Sequence, residues 1–116
     1  MPFVIFHNKV LADRISINSI INQAELGDIL RCHDGNYILN IQKICESLPP
    51  GLIRPYDGDT AVSYESWEAS LKAVGAVITA CESVIGGSHR NAFCPVRPPG
   101  HHSGMIGVVD IEKHEL

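Results

Sequence analysis

The stretch from Ser63 to Val96 constrains the fold most. Trp67, Leu71, Val74, Ile78, Cys81 and Ile85 recur at spacings of 4, 3, 4, 3 and 4, the rhythm of one apolar helix face. The stripe predicts a helix of about five turns. Ser63 is placed to cap it, and Glu65 suits the positive end of its dipole. Gly86 and Gly87 end it. The segment "NAFCPV", residues 91–96, then reads as a short, largely buried strand. Helix, glycine turn, strand and loop is the order of an α/β protein, in which ligands gather beyond the carboxyl ends of strands. Gly75 lies beside the stripe, where a missing side chain would let a neighbouring backbone approach.

The rest of the chain is consistent with that class. Asp34, Gly35 and Asn36 supply turn chemistry before a second helix. Its apolar positions Ile38, Ile41, Cys45 and Leu48 are spaced 3, 4 and 3, and Pro49 and Pro50 stop it. Residues 51–62, "GLIRPYDGDTAV", predict a loop with a turn at Asp57, Gly58 and Asp59. Residues 3–6 predict a short strand. Between residues 12 and 32 Gly27 interrupts any single helix.

Composition bounds what such a chain can do. Its 116 residues fit one small domain with a modest core. At 45% hydrophobic and 19% charged it has ordinary globular usage. A net charge of -4, with nine scattered basic residues, argues against direct nucleic-acid binding. Cys32, Cys45, Cys81 and Cys94 contain no C-x-x-C pair, so a zinc knuckle is not expected. Four free thiols suit a reducing compartment. The apolar run Phe3 to Phe6 is too short for a signal peptide or a membrane span. The expected location is therefore the nucleus or cytoplasm, without secretion or membrane attachment. The terminal "KHEL" looks like an endoplasmic-reticulum retention signal, but such an address acts only on the secretory route, to which nothing here directs the chain.

The chemistry-bearing stretch is "RPPGHHSG", residues 97–104. Pro98 and Pro99 fix their own φ angles and restrict the residues before them, so the approach is stiff. Gly100 allows a sharp turn. His101 and His102 follow. Fixed placement is what general acid–base catalysis requires of an imidazole. On an extended segment adjacent side chains point to opposite sides, so the two histidines are expected to divide roles rather than share one metal. On residue types alone, a solvated surface turn competes with catalysis.

Taken together, three segments carry a resemblance. "NAFCPVRPPGHHSG" resembles the active-site loop of the zinc-dependent histone deacetylase superfamily, most like the class II deacetylases and acetylpolyamine amidohydrolases. "LRCHDGNYILNI" is similar to that family's segment with paired His33 and Tyr37 positions. "YDGDTAVSYESWEASLKAVGAVITA" looks like the Asp-rich loop and helix that precede the histidine loop. The resemblance divides the chain into a divergent segment 1–25, a partial deacetylase domain 26–109 and a tail 110–116. It implies the N-terminal part of an arginase/deacetylase-like, parallel-sheet, three-layer α/β fold, incomplete in this chain.

The resemblance also implies an activity. In the family a zinc ion polarises an acetyl amide carbonyl and activates a water. By the match His102 is the general base and acid, and His101 orients the water and balances charge. Asp57 falls at the family's rim aspartate, which grips substrate backbone. Asp59 is the near alternative, and both also suit a plain turn. Arg97, Pro99, Gly100 and Gly104 would shape the pocket, while His33 is expected to be a core or capping histidine. The implied substrates are acetylated histone, another acetyl-lysine protein, or an acetylpolyamine.

The match also has a limit. The family's metal ligands and its oxyanion-binding tyrosine lie downstream of the histidine loop, and after Gly104 this chain reads "MIGVVDIEKHEL". Asp110, Glu112 and His114 form a D-x-E-x-H run that could coordinate a metal, although a charged tail is usually solvated. The expectation is an early, internal part of a deacetylase domain that holds no zinc stably and is inactive alone. The alternative is a non-catalytic interaction fragment that binds partners of a full-length deacetylase.

Overall fold

The computed structural model describes residues 3–5, 22–57, 60–101 and 103–107. In chain order its elements are β1 (Phe3–Ile5), α1 (Leu26–Leu30), α2 (Gly35–Ser47), β2 (Arg54–Asp57), β3 (Thr60–Val62), α3 (Ser66–Ile85) and β4 (Asn91–Phe93). They fall into two compact units, Met1–Glu25 with Glu68–Pro99, and Leu26–Trp67 with Gly100–Leu116. The chain is thus a mixed α/β protein, as its sequence predicts.

In the first unit β1 pairs in parallel with β4, Phe3 opposite Asn91 and Ile5 opposite Phe93. Parallel neighbours need a crossover connection, and the helix α3 enters β4 through Gly86 and Gly87. Gly87 takes φ +82°, the left-handed conformation that ends helices. Ala76 and Ala80 of α3 are buried against Ala92, Cys94 and Val96. Segment 22–24 lies across the same helix, and the Ala24 N–H donates to the Leu71 carbonyl at 3.0 Å. Gly75 makes that approach possible, because a Cβ there would stand 1.8 Å from the Asn22 carbonyl oxygen.

Two features of α3 differ from the sequence expectation. The buried face consists of Ala73, Gly75, Ala76 and Ala80, not the large apolar stripe. Within the stripe Val74 is 37% and Ile85 86% exposed, and Cys81 is exposed as well. Small side chains let strand and loop backbone come close, and a helix buries the face that has neighbours. The helix also starts at Ser66 rather than beside Ser63. The Ser66 N–H donates to the Ser63 carbonyl at 3.2 Å, and the Ser63 N–H donates to Ser66 Oγ at 2.9 Å. A turn through Tyr64 and Glu65 thus precedes the helix, and Glu68 is the acid of its first turn.

The second unit is built on α2. Asp34 caps it, its carboxylate accepting from the Asn36 N–H at 3.0 Å and the Tyr37 N–H at 3.3 Å. Ile38, Cys45 and Leu48 are buried as the spacing predicts. Cys45, Leu48 and Val62 form a cluster flanked by Ile41, Ile44, Tyr56 and Trp67. The predicted loop 51–62 is a correction: it contains an antiparallel ribbon, with Arg54 opposite Val62 and Asp57 opposite Thr60. The register shifts between Pro55 and Asp57, which accommodates a proline that cannot donate to a ladder. Gly27 lies inside α1, a helix of only five residues.

Cys45 is fully buried, and burial pushes its thiol above the ordinary 9.0. The folded state therefore holds this proton more tightly than the unfolded state. The sign follows: stability is intact below 9.0 and falls as pH rises through the thiol range. Burial first, and then neighbouring Cys81, raise the Cys94 thiol in the same direction. Cys32 and Cys81 are exposed. In a timed alkylation at neutral pH followed by peptide mass mapping, Cys32 and Cys81 are expected to react first and Cys45 last. Equal rates would mean that the Cys45–Leu48–Val62 cluster does not close.

Candidate functional site

The histidine loop crosses the boundary between the units, which falls between Pro99 and Gly100. Arg97 and Pro99 end the first unit, and both are exposed. The Arg97–Pro98 peptide bond is cis. In the second unit Gly100 takes φ +76°, the left-handed conformation that glycine adopts without cost. The Ser103 N–H donates back to the Gly100 carbonyl at 2.9 Å and closes a tight turn that includes exposed His101. His102 lies outside the described residues. So do Asp59 and the Asp110, Glu112 and His114 run.

The loop exit is held firmly. The His33 ring contacts the Gly104 carbonyl through Nδ1 at 2.8 Å. A carbonyl only accepts, so Nδ1 carries the proton. The Tyr37 hydroxyl and Ser103 Oγ lie 3.3 Å apart. The Asp34 N–H donates to the Met105 carbonyl at 2.8 Å, and the Gly104 N–H donates to the Gly107 carbonyl at 2.6 Å. Three consecutive loop residues, Ser103 to Met105, are thus tied to the start of α2. The His33 and Tyr37 rings sit 5.8 Å apart at 58°.

This corrects the reading of His33 as a core or capping residue. It is half-buried, and the cap is Asp34. The sequence signal was the His33–Asp34 pair one helical turn before Tyr37, but nothing local tells what those side chains reach. Asp57 ends β2 opposite Thr60, and its side chain is not among those described. Among the described residues no group of three His, Cys, Asp or Glu side chains is gathered to hold a metal ion. The described donor set therefore does not make a zinc site, which needs three or four such ligands.

Comparison with known proteins decides the family. A sequence model of the histone deacetylase domain matches residues 6–107, a span that contains both the start of α2 and the histidine loop. The chain belongs to the histone deacetylase family. It is similar to type-2 histone deacetylase 2 of Dictyostelium discoideum, 32% identical over 111 residues, covering 73% of this chain and 6% of that protein. It is also similar to the acetylpolyamine amidohydrolase of Mycoplana ramosa, 40% identical over 47 residues, covering 40% of this chain and 14% of that protein. The solved HDA15 HD domain shares its fold, with a TM-score of 0.70 at 21% identity over 79% of this chain and 25% of that one. The chain thus spans a small part of the length of the relatives it matches. Among its described residues no helix is long and apolar enough to cross a membrane.

Proposed function

We propose that this deacetylase segment carries the proton-transfer half of an N-acetyl amide hydrolase site. The observation that supports this best is the loop itself: a proline-stiffened entry, a left-handed Gly100 and an exit tied to α2. In this reading His102 takes a proton from the attacking water and returns one to the leaving amine, and His101 orients the water. Asp57 grips the substrate backbone, and Arg97, Pro99, Gly100 and Gly104 shape the pocket. The substrate is an acetyl-lysine side chain, on histone or another protein, or an acetylpolyamine. The zinc on which the family relies finds no three-ligand set among the described residues, so no step is assigned to it. The setting is the nucleus or cytoplasm.

The chain alone is expected to be inactive. A general base by itself contributes about 10²–10⁴-fold, far short of what amide hydrolysis demands. Acetate release from acetyl-lysine peptide and from an N-acetylated diamine, with zinc supplied, should match the protein-free blank. Turnover that His102→Ala removes would overturn this. In a product that continues past residue 109, His102→Ala should lower turnover while substrate affinity holds. Loss of affinity alone would remove the proton-transfer role.

A second reading, a non-catalytic fragment that binds partners of a full-length deacetylase, draws on exposed Ile85 and Phe93, 86% and 57% accessible. Exposed apolar side chains suit a protein contact where they form one patch. Co-elution of this chain with the partners of a full-length deacetylase would favour it.

A further inference from the structure

The geometry points to His33 and Tyr37 as positioning residues that lock the exit of the histidine loop. The inference rests on the deacetylase reading of that loop, and it assigns to α2 a task that no residue of the loop performs. Ser103 directly follows the two histidines in the chain. Its hydroxyl meets Tyr37 at 3.3 Å, the next carbonyl receives the His33 Nδ1–H at 2.8 Å, and the one after receives the Asp34 N–H at 2.8 Å. Consecutive residues held at three points leave the loop no freedom to swing at that end.

The clamp is itself fixed by the helix. Asp34 accepts from the N–H groups of Asn36 and Tyr37 while its own N–H reaches Met105. One residue thus sets the start of α2 and the position of the loop exit. His33 stands just before the cap and Tyr37 one turn inside the helix, so both side chains come to the same stretch of loop. The ring of Tyr37 lies beside that of His33. Nδ1–H is the only state of neutral His33 that satisfies the Gly104 carbonyl. Ring-orienting partners of this kind commonly set how a reactive imidazole is presented. Here the same effect passes through backbone.

Three variants of the full chain test this by NMR. His33→Phe keeps a ring and removes the donor. His33→Asn keeps an N–H at a similar reach. Tyr37→Phe removes only the hydroxyl. In the unmutated chain the nitrogen spectrum of His33 should show the Nδ1–H tautomer. His33→Phe should raise exchange of the Asp34 amide by up to about tenfold, the scale of one lost hydrogen bond. It should also sharpen and shift the ring signals of His101 and His102, with the Ile38–Cys45 amides unmoved. His33→Asn should restore both readouts, and Tyr37→Phe should give a smaller change of the same sign. A merely structural His33 would not be rescued at the His101 and His102 rings while α2 stays unchanged.

An Nε2–H tautomer in the unmutated chain, or unaltered His101 and His102 signals in His33→Phe, overturns the inference. If His33→Phe loses dispersed signals throughout, the tautomer of the unmutated chain and the Tyr37→Phe spectrum decide. A chain with no slowed Asp34 amide at all also refutes the clamp. No turnover is measured, so this outcome is separate from whether the chain hydrolyses acetyl-lysine.

Discussion

Gly75→Ala is expected to destabilise the chain by about 3 kcal/mol or more, at the upper end of overpacking effects. A Cβ at this position meets backbone on every near side: the Asn22 oxygen at 1.8 Å, and the Ala24 nitrogen and Asn22 carbon each at 2.9 Å. None of these is the end of a flexible side chain. Segment 22–24 would have to leave the helix, taking with it the Ala24 N–H bond to Leu71. The sign makes the test sharp. In an exposed helix interior the same change stabilises by about 1 kcal/mol, so helix propensity and packing predict opposite outcomes. The thermal midpoint should fall by roughly 10 °C or more. Gly27→Ala in α1 is the control, because a Cβ there meets nothing within 4 Å. It should be neutral or slightly stabilising. A more stable Gly75→Ala chain would mean that segment 22–24 does not sit on α3.

How much of this was readable in the sequence follows from how local each cause is. The apolar face of α2 depends on residues within a few positions of one another, and Ile38, Cys45 and Leu48 are buried as the pattern says; Asp34, read as part of a turn, instead caps a helix that already begins at Gly35. Gly75 was legible too, since a glycine beside an apolar stripe has few other uses. The buried face of α3 was not. Its stripe marks where a long helix would prefer a partner, but burial goes to the face against which β4 and segment 22–24 lie, and there small residues win. The ribbon Arg54–Val62 was hidden by Pro55, which argues against a strand unless a register shift absorbs it.

The candidate site divides in the same way. The stiff entry and the turn at Gly100 are written in "RPPG", and Gly100 takes the left-handed conformation. The exit is not written locally at all. His33 reaches a residue 71 positions away, and no spacing rule connects them. Resemblance placed His33 and Tyr37 in the right segment without showing what they touch. Contacts that close over long separations are where a single sequence is least informative, and they are also where this loop gains its rigidity.

Leu48→Ala is expected to cost about 2–3 kcal/mol, the lower part of the range for buried leucines. Leu48 is 8% exposed and packs with Cys45 and Val62. The cluster is small, and a small cluster collapses around a vacancy more readily than a deep core, which keeps the cost below the upper limit. Ile85→Ala removes a comparable side chain from the end of the α3 stripe, but Ile85 is 86% exposed. Its loss should change stability by no more than about 0.5 kcal/mol. The pair separates two accounts of this chain. If apolar periodicity alone governed burial, both positions would be core and both losses would be large. If burial follows the neighbours actually present, the urea midpoint falls for Leu48→Ala and stays for Ile85→Ala. Equal large losses would show that the α3 stripe is covered in solution, as in an assembly of two chains. The concentration dependence of the Ile85→Ala midpoint would then identify that cover, since only an assembly makes stability rise with protein concentration.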